Sequence, residues 1–84
     1  MRLLVKKSFR KQFKKLPFQV RQQFRERSAL FIENKFDIRL NNHSVGSAYP
    51  NCRSINVTGD YRAIFYEDGD IAIFIAIGTH AQLY

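Results

Sequence analysis

The sequence predicts an α+β fold, a two-helix hairpin packed on a mostly antiparallel four-stranded sheet in the order β-α-α-β-β-β. Three observations predict it. Residues 1–35 carry apolar side chains at helical spacing. Residues 53–84 alternate as strands and contain a hairpin signal, Glu67-Asp68-Gly69-Asp70. The chain has 84 residues, which makes one domain, 1–84, and leaves no room for a second. A chain this short buries only about 60% of its unfolded surface. Its eight Phe and four Tyr supply the apolar area an efficient core needs.

Arg2 to Val5 reads as a short edge strand. Ser8 suits a helix N-cap. Phe9, Phe13 and Leu16 then fall at i, i+4 and i+7, one helical stripe, with Lys11, Lys14 and Lys15 off it. Pro17 stops this helix, because its ring excludes a continuing hydrogen bond and restricts Leu16. Pro also opens helices, so a second helix runs from about Pro17 to Asn34. Its apolar positions are Val20, Phe24, Leu30 and Phe31, with Ile32 a further candidate. Arg27 falls where the stripe asks for an apolar residue. Residues 36–52 read as a loop, rich in Asn, Ser and Gly. Arg53 to Val57 alternates, with Ile55 and Val57 on one face and Ser54 and Asn56 on the other. Thr58-Gly59-Asp60 is a turn. Tyr61 to Tyr66 and Ile71 to Ile77 are the last two strands. The final strand is apolar on both faces, so it belongs in the sheet interior. Its Ile face suits packing under the helices, and Gly78 ends it. The short connections predict that these strands pair in sequence order.

Composition narrows the function. The single Cys52 excludes an internal disulfide, and Met1-Arg-Leu-Leu-Val runs straight into Lys6-Lys7, so no secretory leader is expected. The longest apolar run, Ile71 to Ile77, is too short to span a bilayer. A reducing cytoplasm is the expected compartment. The net charge of +7 is unevenly spread. Residues 1–35 hold eleven Lys/Arg against Glu26 and Glu33, whereas residues 36–84 hold three Arg against five acids. This asymmetry points to a polyanion, an acidic membrane surface or an acidic protein. Lys6, Lys7, Lys11 and Lys14 are the candidate electrostatic contacts. A solvated helix face that keeps the protein soluble is the plainer explanation. A membrane role ranks low, because the Phe/Leu positions are needed to cover the sheet.

No metal motif, no Walker loop and no dinucleotide fingerprint is present, so no cofactor is expected. Cys52 reads as a small core residue. Phosphodiester chemistry fits the remaining groups better. RNA carries its own nucleophile, the 2′-OH. Cleavage then needs a base for its proton, a cation for the developing charge and an acid for the leaving 5′-oxygen. Imidazole is the side chain suited to such transfers near neutral pH, which selects His80. Arg62 or Arg53 suits bidentate phosphate binding. Tyr84 suits stacking on a base, and Asp60 suits orienting a neighbour. Each has a bland reading too: His80 and Asp60 as turn residues, Arg53 as a surface charge, Tyr84 as a frayed chain end. His43 is a loop His between polar neighbours. Taken alone, these residues favour binding over catalysis.

Gly59-Asp60-Tyr61-Arg62 together with Gly78-Thr79-His80-x-x-Leu83-Tyr84, with His43 and Arg53 upstream, resembles the RelE/ParE superfamily of bacterial type II toxins. The ending looks most like its YafQ-like branch. The resemblance implies a microbial-RNase-type fold and a metal-independent endoribonuclease that cuts mRNA at the ribosome and so inhibits translation. It implies a cognate antitoxin and a toxin–antitoxin hetero-oligomer. By position, His80 matches the branch's catalytic His, Tyr84 its terminal aromatic, Asp60 an acid needed for activity and Arg62 a phosphate-stabilising Arg. Arg53 matches a basic residue at a strand start, and His43 a loop His. RelE-like members also use active-site lysines, and none follows Lys35 here, which favours a His-centred mechanism. Two alternatives stand beside it: a ParE-like toxin that inhibits DNA gyrase, and a non-catalytic RNA-binding module.

Overall fold

A computed structural model describes residues Met1 to Tyr84. The order is β1 (Arg2–Val5), α1 (Lys7–Lys14), α2 (Phe18–Glu33), a 3₁₀ turn (Ile38–Leu40), β2 (His43–Ser44), β3 (Arg53–Asn56), β4 (Tyr61–Asp68), β5 (Ile71–Thr79) and α3 (His80–Leu83). The sheet has five strands in the order β1-β5-β4-β3-β2. The fifth is the two-residue β2, inside the segment expected to be loop. β1 joins β5 in parallel and every other pair is antiparallel. No helix is long and apolar enough to cross a membrane.

The helices cover one face of the sheet. Phe74 lies at the centre of that layer, with ring centroids 5.0 Å from Phe65, 5.6 Å from Phe24 and Phe31, and 6.0 Å from Phe9. Most of these contacts are edge-on, the geometry that ring quadrupoles favour. The expected stripes hold: Phe9, Val20, Phe24 and Phe31 are buried, while Ile32 is 49% exposed. Ile55 and Val57 are fully buried beneath the helices, as the alternation of β3 predicts.

Ser8 does not cap α1. The helix begins at Lys7, with Lys6 as its uncapped N-cap residue, and the Ser8 hydroxyl donates to the Ile75 carbonyl at 2.8 Å. The reason lies in the sheet. β1 pairs with β5 only as far as Phe74. The Lys6 N–H closes that pairing on the Phe74 carbonyl, and past it α1 supplies the missing partners: Ser8 for the Ile75 carbonyl, and Gln12 Oε1, which accepts from the Ile77 N–H at 3.0 Å. A strand edge left bare would template pairing with other chains.

β5 corrects two further expectations. Ile64 pairs with Ala76 and Phe65 with Phe74, so Ile75 is an extra residue, a β-bulge. The bulge reverses the parity of the strand. Ala72 and Phe74 face the helices, Ile75 and Ala76 take the opposite face, and Ile77 returns to the helix side. Most of the Ile row therefore lies away from the helices. Gly78 does not end the strand either; it pairs with Arg62, and the strand runs on to Thr79. At the other end, Gly69 turns the β4–β5 hairpin at φ 59°, the left-handed backbone a two-residue loop demands.

The second face of the sheet is covered only in part. Residues 45–52 fold back beneath it, closed by the Val45 N–H donating to the Cys52 carbonyl. Val45, Cys52, Ile64 and Ala76 form a small buried cluster there, with Leu83 of α3 packed against it.

Candidate active site

A cavity of about 270 Å³ opens on this second face, between the returning loop and α3. His43 and Ser44 of β2 line it, as do Val45, Ser47 and Ala48 of the loop, Ser54 of β3, Arg62 of β4, and His80 and Tyr84 at the chain end. No Asp or Glu is among them. Nowhere in the chain do three or more His, Cys, Asp or Glu side chains gather as metal ligands would.

The backbone explains why His80 stands where it does. Thr79 caps α3: its hydroxyl accepts from the Gln82 N–H at 3.2 Å, while Gln82 Oε1 accepts from the Thr79 N–H at 2.8 Å. This is a capping box, two otherwise unpaired N–H groups satisfied reciprocally. Gly78 makes room for it, since a Cβ there would lie 2.9 Å from Gln82 Oε1. The His80 N–H donates to the Asp60 carbonyl at 3.2 Å, tying the helix to the Thr58–Tyr61 turn.

Tyr84 is not frayed. Its ring sits 4.8 Å from the His80 ring and 5.8 Å, edge-on, from Tyr49. The Tyr49 hydroxyl in turn donates to the Leu83 carbonyl at 2.6 Å, so the loop fastens the chain end. Burial, with smaller contributions from Tyr84 and Cys52, pushes the Tyr49 phenol above its usual range. That keeps Tyr49 a neutral donor. Burial likewise raises the Cys52 thiol, as expected of a structural cysteine rather than a nucleophile.

His43 lines the same cavity. Its Nδ1 lies 2.7 Å from the carbonyl oxygen of Asn41, whose backbone adopts the left-handed φ of 47°. A carbonyl only accepts, so Nδ1 is the protonated nitrogen of the neutral ring and Nε2 carries the free lone pair. Arg62 uses Nη1 to bind the carbonyls of Thr58, Gly59 and Tyr61 at 3.0 to 3.2 Å. Nη1 is thus committed to the turn, while Nε and Nη2 remain available.

Four sequence-selected residues, His43, Arg62, His80 and Tyr84, thus meet at one cavity. The others do not. The Asp60 side chain is exposed and does not line the cavity; its connection to the site is the carbonyl that receives His80. Arg53 shares the helix-side parity of Ile55. Its Nε donates to Asn42 Oδ1 at 2.7 Å, and its guanidinium lies 5.8 Å over the Phe36 ring. Lys6, Lys7, Lys11 and Lys14 are exposed at or on α1, in the layer across the sheet from the cavity. Sequence reading missed Ser54 and Tyr49. For Ser54 the signal was present, a polar residue alternating with buried Ile55. For Tyr49 no local signal existed, because its partner is 34 residues away.

Residues 3–84 match the family model described as ParE toxin of type II toxin-antitoxin system, parDE. Among curated proteins no significant match is found. Solved structures share the fold along essentially the whole chain. YafQ from E. coli strain BL21(DE3) is 22% identical with a TM-score of 0.80, covering 100% of this chain and 99% of its own. The E. coli DinJ-YafQ complex gives 21% and 0.78, with the same coverage. The RelB-RelE antitoxin-toxin complex from Methanococcus jannaschii gives 23% and 0.72, covering 96% of this chain and 94% of the matched one.

Proposed function

The chain belongs to the ParE toxin family of type II toxin–antitoxin systems, and we propose that it is an endoribonuclease that cuts mRNA on the ribosome. The observation that carries this reading is the convergence of two imidazoles and a guanidinium on one cavity lined by no Asp or Glu. In the proposed reaction, His43 Nε2 takes the proton from the 2′-OH. The 2′-oxygen bonds to the adjacent phosphorus as the bond to the 5′-oxygen breaks. His80, protonated, gives its proton to that leaving oxygen. The free Nε and Nη2 of Arg62 balance the charge that builds on the phosphoryl oxygens. Tyr84, backed by Tyr49, offers a flat face to a nucleobase. RNA supplies the nucleophile, so the scheme calls on no metal. Asp60 acts through its backbone, as a positioning residue for His80.

The basic residues of α1 would hold ribosomal RNA across the sheet from the cut. If they do, log affinity falls by about 0.7–0.9 per log unit of salt for each phosphate contacted. Val5, Phe9, Phe13 and Phe24 form an apolar groove rimmed by Arg10, Lys14 and Arg25. That chemistry suits an acidic amphipathic segment of a cognate antitoxin in a cytoplasmic hetero-oligomer, the kind of assembly found in the DinJ-YafQ complex.

One observation favours a second reading, gyrase inhibition: the matching family carries the name of ParE. Poisoning gyrase gives no task to a proton-donor and proton-acceptor pair, which is why it ranks second. The test runs both assays on one preparation. Mapping of mRNA 5′ ends on programmed ribosomes should reveal new ends that vanish with His80→Ala, while DNA supercoiling by gyrase is unaffected. Inhibited supercoiling with intact mRNA would replace the first reading by the second.

A further inference from the structure

We propose that the Ser54 hydroxyl is the floor contact of the cavity for an anionic phosphoryl oxygen. Ser54 is fully buried, and it is the one buried polar residue of the chain. Its Oγ has no hydrogen-bond partner and almost no open surface; the residue lines the cavity, so a ligand oxygen reaches the hydroxyl only as the side chains around it move aside. A buried hydroxyl without a partner is costly, because folding strips its water and returns nothing. Nothing local requires a hydroxyl there. Ser54 sits opposite Ile64 in the ladder, and its backbone pairing is independent of its side chain. The neighbouring groups decide what it binds. His43, Arg62 and His80 border the same space, and no Asp or Glu does. A ligand drawn there is therefore an anion, and toward an anion a hydroxyl acts as donor. Asn56, next on the same face, likewise makes no side-chain hydrogen bond, and its Oδ1 is buried without a partner. This row of unsatisfied polar groups beside Arg62 fits a site whose partners arrive with the ligand.

The proposal rests on the nuclease reading for its substrate, RNA, but its test does not depend on cleavage. Ser54→Ala and Ser54→Cys are compared with the parent chain in three measurements: NMR titration with inorganic phosphate, titration with a 2′-deoxy dinucleotide that cannot be cleaved, and thermal unfolding without either. The phosphate arm reads the anion contact alone; the dinucleotide arm reads the same contact within a nucleic-acid backbone. Ser54→Ala should weaken both ligands about tenfold, as loss of a hydrogen bond to a charged group does. Ser54→Cys, a weaker donor of similar shape, should fall between. The unfolding midpoint of Ser54→Ala should stay level or rise, since an unpaired buried hydroxyl has gone. Affinities within about twofold of the parent would overturn the proposal, since a hydrogen bond to a charged ligand is worth more. So would a midpoint that falls, because the hydroxyl would then serve the fold. If the parent binds phosphate through Ser54 but cuts no mRNA, the nuclease reading fails and this contact stands. If the parent cuts mRNA and Ser54→Ala cuts equally well, the reverse holds.

Discussion

The two faces of the sheet are built from different chemistry. Beneath the helices, Phe9, Phe24, Phe31, Phe65 and Phe74 pack ring against ring, and the bulged end of β5 accepts a hydrogen bond from Ser8 and donates one to Gln12. The opposite face buries only Val45, Cys52, Ile64 and Ala76 as a cluster, and it leaves Ser54 Oγ and Asn56 Oδ1 without partners. The helix-covered side leaves a single buried side-chain atom unpaired, Arg21 Nε on α2. The other is incomplete on its own. A small fold that concentrates its stability on one side can tolerate unsatisfied polar groups on the other, where a ligand is to bind.

If that division is right, mutations on the two faces should separate stability from activity. Phe74→Ala should have the largest effect, a loss of about 3–5 kcal/mol by urea titration, because four rings lose their common neighbour. Domains of this kind have about 5–15 kcal/mol in total, so the variant should be close to unfolding at 37 °C. A loss below about 1 kcal/mol would break the comparison, since a core site repacks at so little cost only when it is loosely built. On the other face, His43→Ala should lower mRNA cleavage by about 10²–10⁴-fold while shifting stability by less than about 0.5 kcal/mol.

Arginine sharpens the contrast further. Arg62→Ala should cost cleavage about a hundredfold, as loss of an electrostatic stabiliser does. Arg53→Ala should change it only a few-fold, because Arg53 is engaged with Asn42 and Phe36 away from the cavity. Equal losses would mean that Arg53 reaches the substrate after all. Gly78→Ala is a smaller, local test. Its Cβ displaces Gln82 from the capping box, for about 1 kcal/mol of stability. Cleavage should drop more than that figure suggests, since His80 is the first residue of the loosened helix.

The smallest effect belongs to neither face. Hydrogen bonds from the Arg39 side chain, then from its backbone N–H, hold the Asp37 carboxyl down at about 2. A carboxyl depressed in the folded state stabilises the protein above its unfolded value of about 3.9. That contribution is lost as the pH falls from about 4 toward 2. The Arg39 side chain is 64% exposed, so the pair is well screened and the effect small. Comparing urea midpoints of Asp37→Asn and the parent, the gap seen at about pH 6 should narrow below about pH 4 and be mostly closed by about pH 2, where the folded carboxyl is half protonated.

Much of the helix-covered face was legible in residue order. Phe9, Phe13 and Leu16 marked one stripe, Pro17 marked its end, and Gly69 marked the hairpin, because helix spacing and turn chemistry are local properties. The capping box had a local signature, Thr79-x-x-Gln82, but ending the strand at Gly78 passed over it. The bulge was not. Nothing in seven residues of alternating Ile says that Ile75 has no partner, since a bulge is defined by the opposing strand. Nor was the short β2, which exists only as a partner for Arg53 and Ser54. In the site, residue type alone selected His80, Arg62 and Tyr84, but it gave Arg53 and Asp60 equal standing with them.

The sequence by itself therefore determined the α+β class, the charge asymmetry and the set of side chains able to handle a phosphate. Those follow from composition and from periodicities that a chain carries without folding. The tertiary structure decided which of them come together. It turned Arg53 and Arg62 to opposite faces, fixed the proton on His43 Nδ1 through the Asn41 carbonyl, and clamped Tyr84 against His80 through a tyrosine 35 positions earlier. Its means were a strand's two-residue alternation and hydrogen bonds between groups distant in sequence, and neither has a meaning until the partners are brought together.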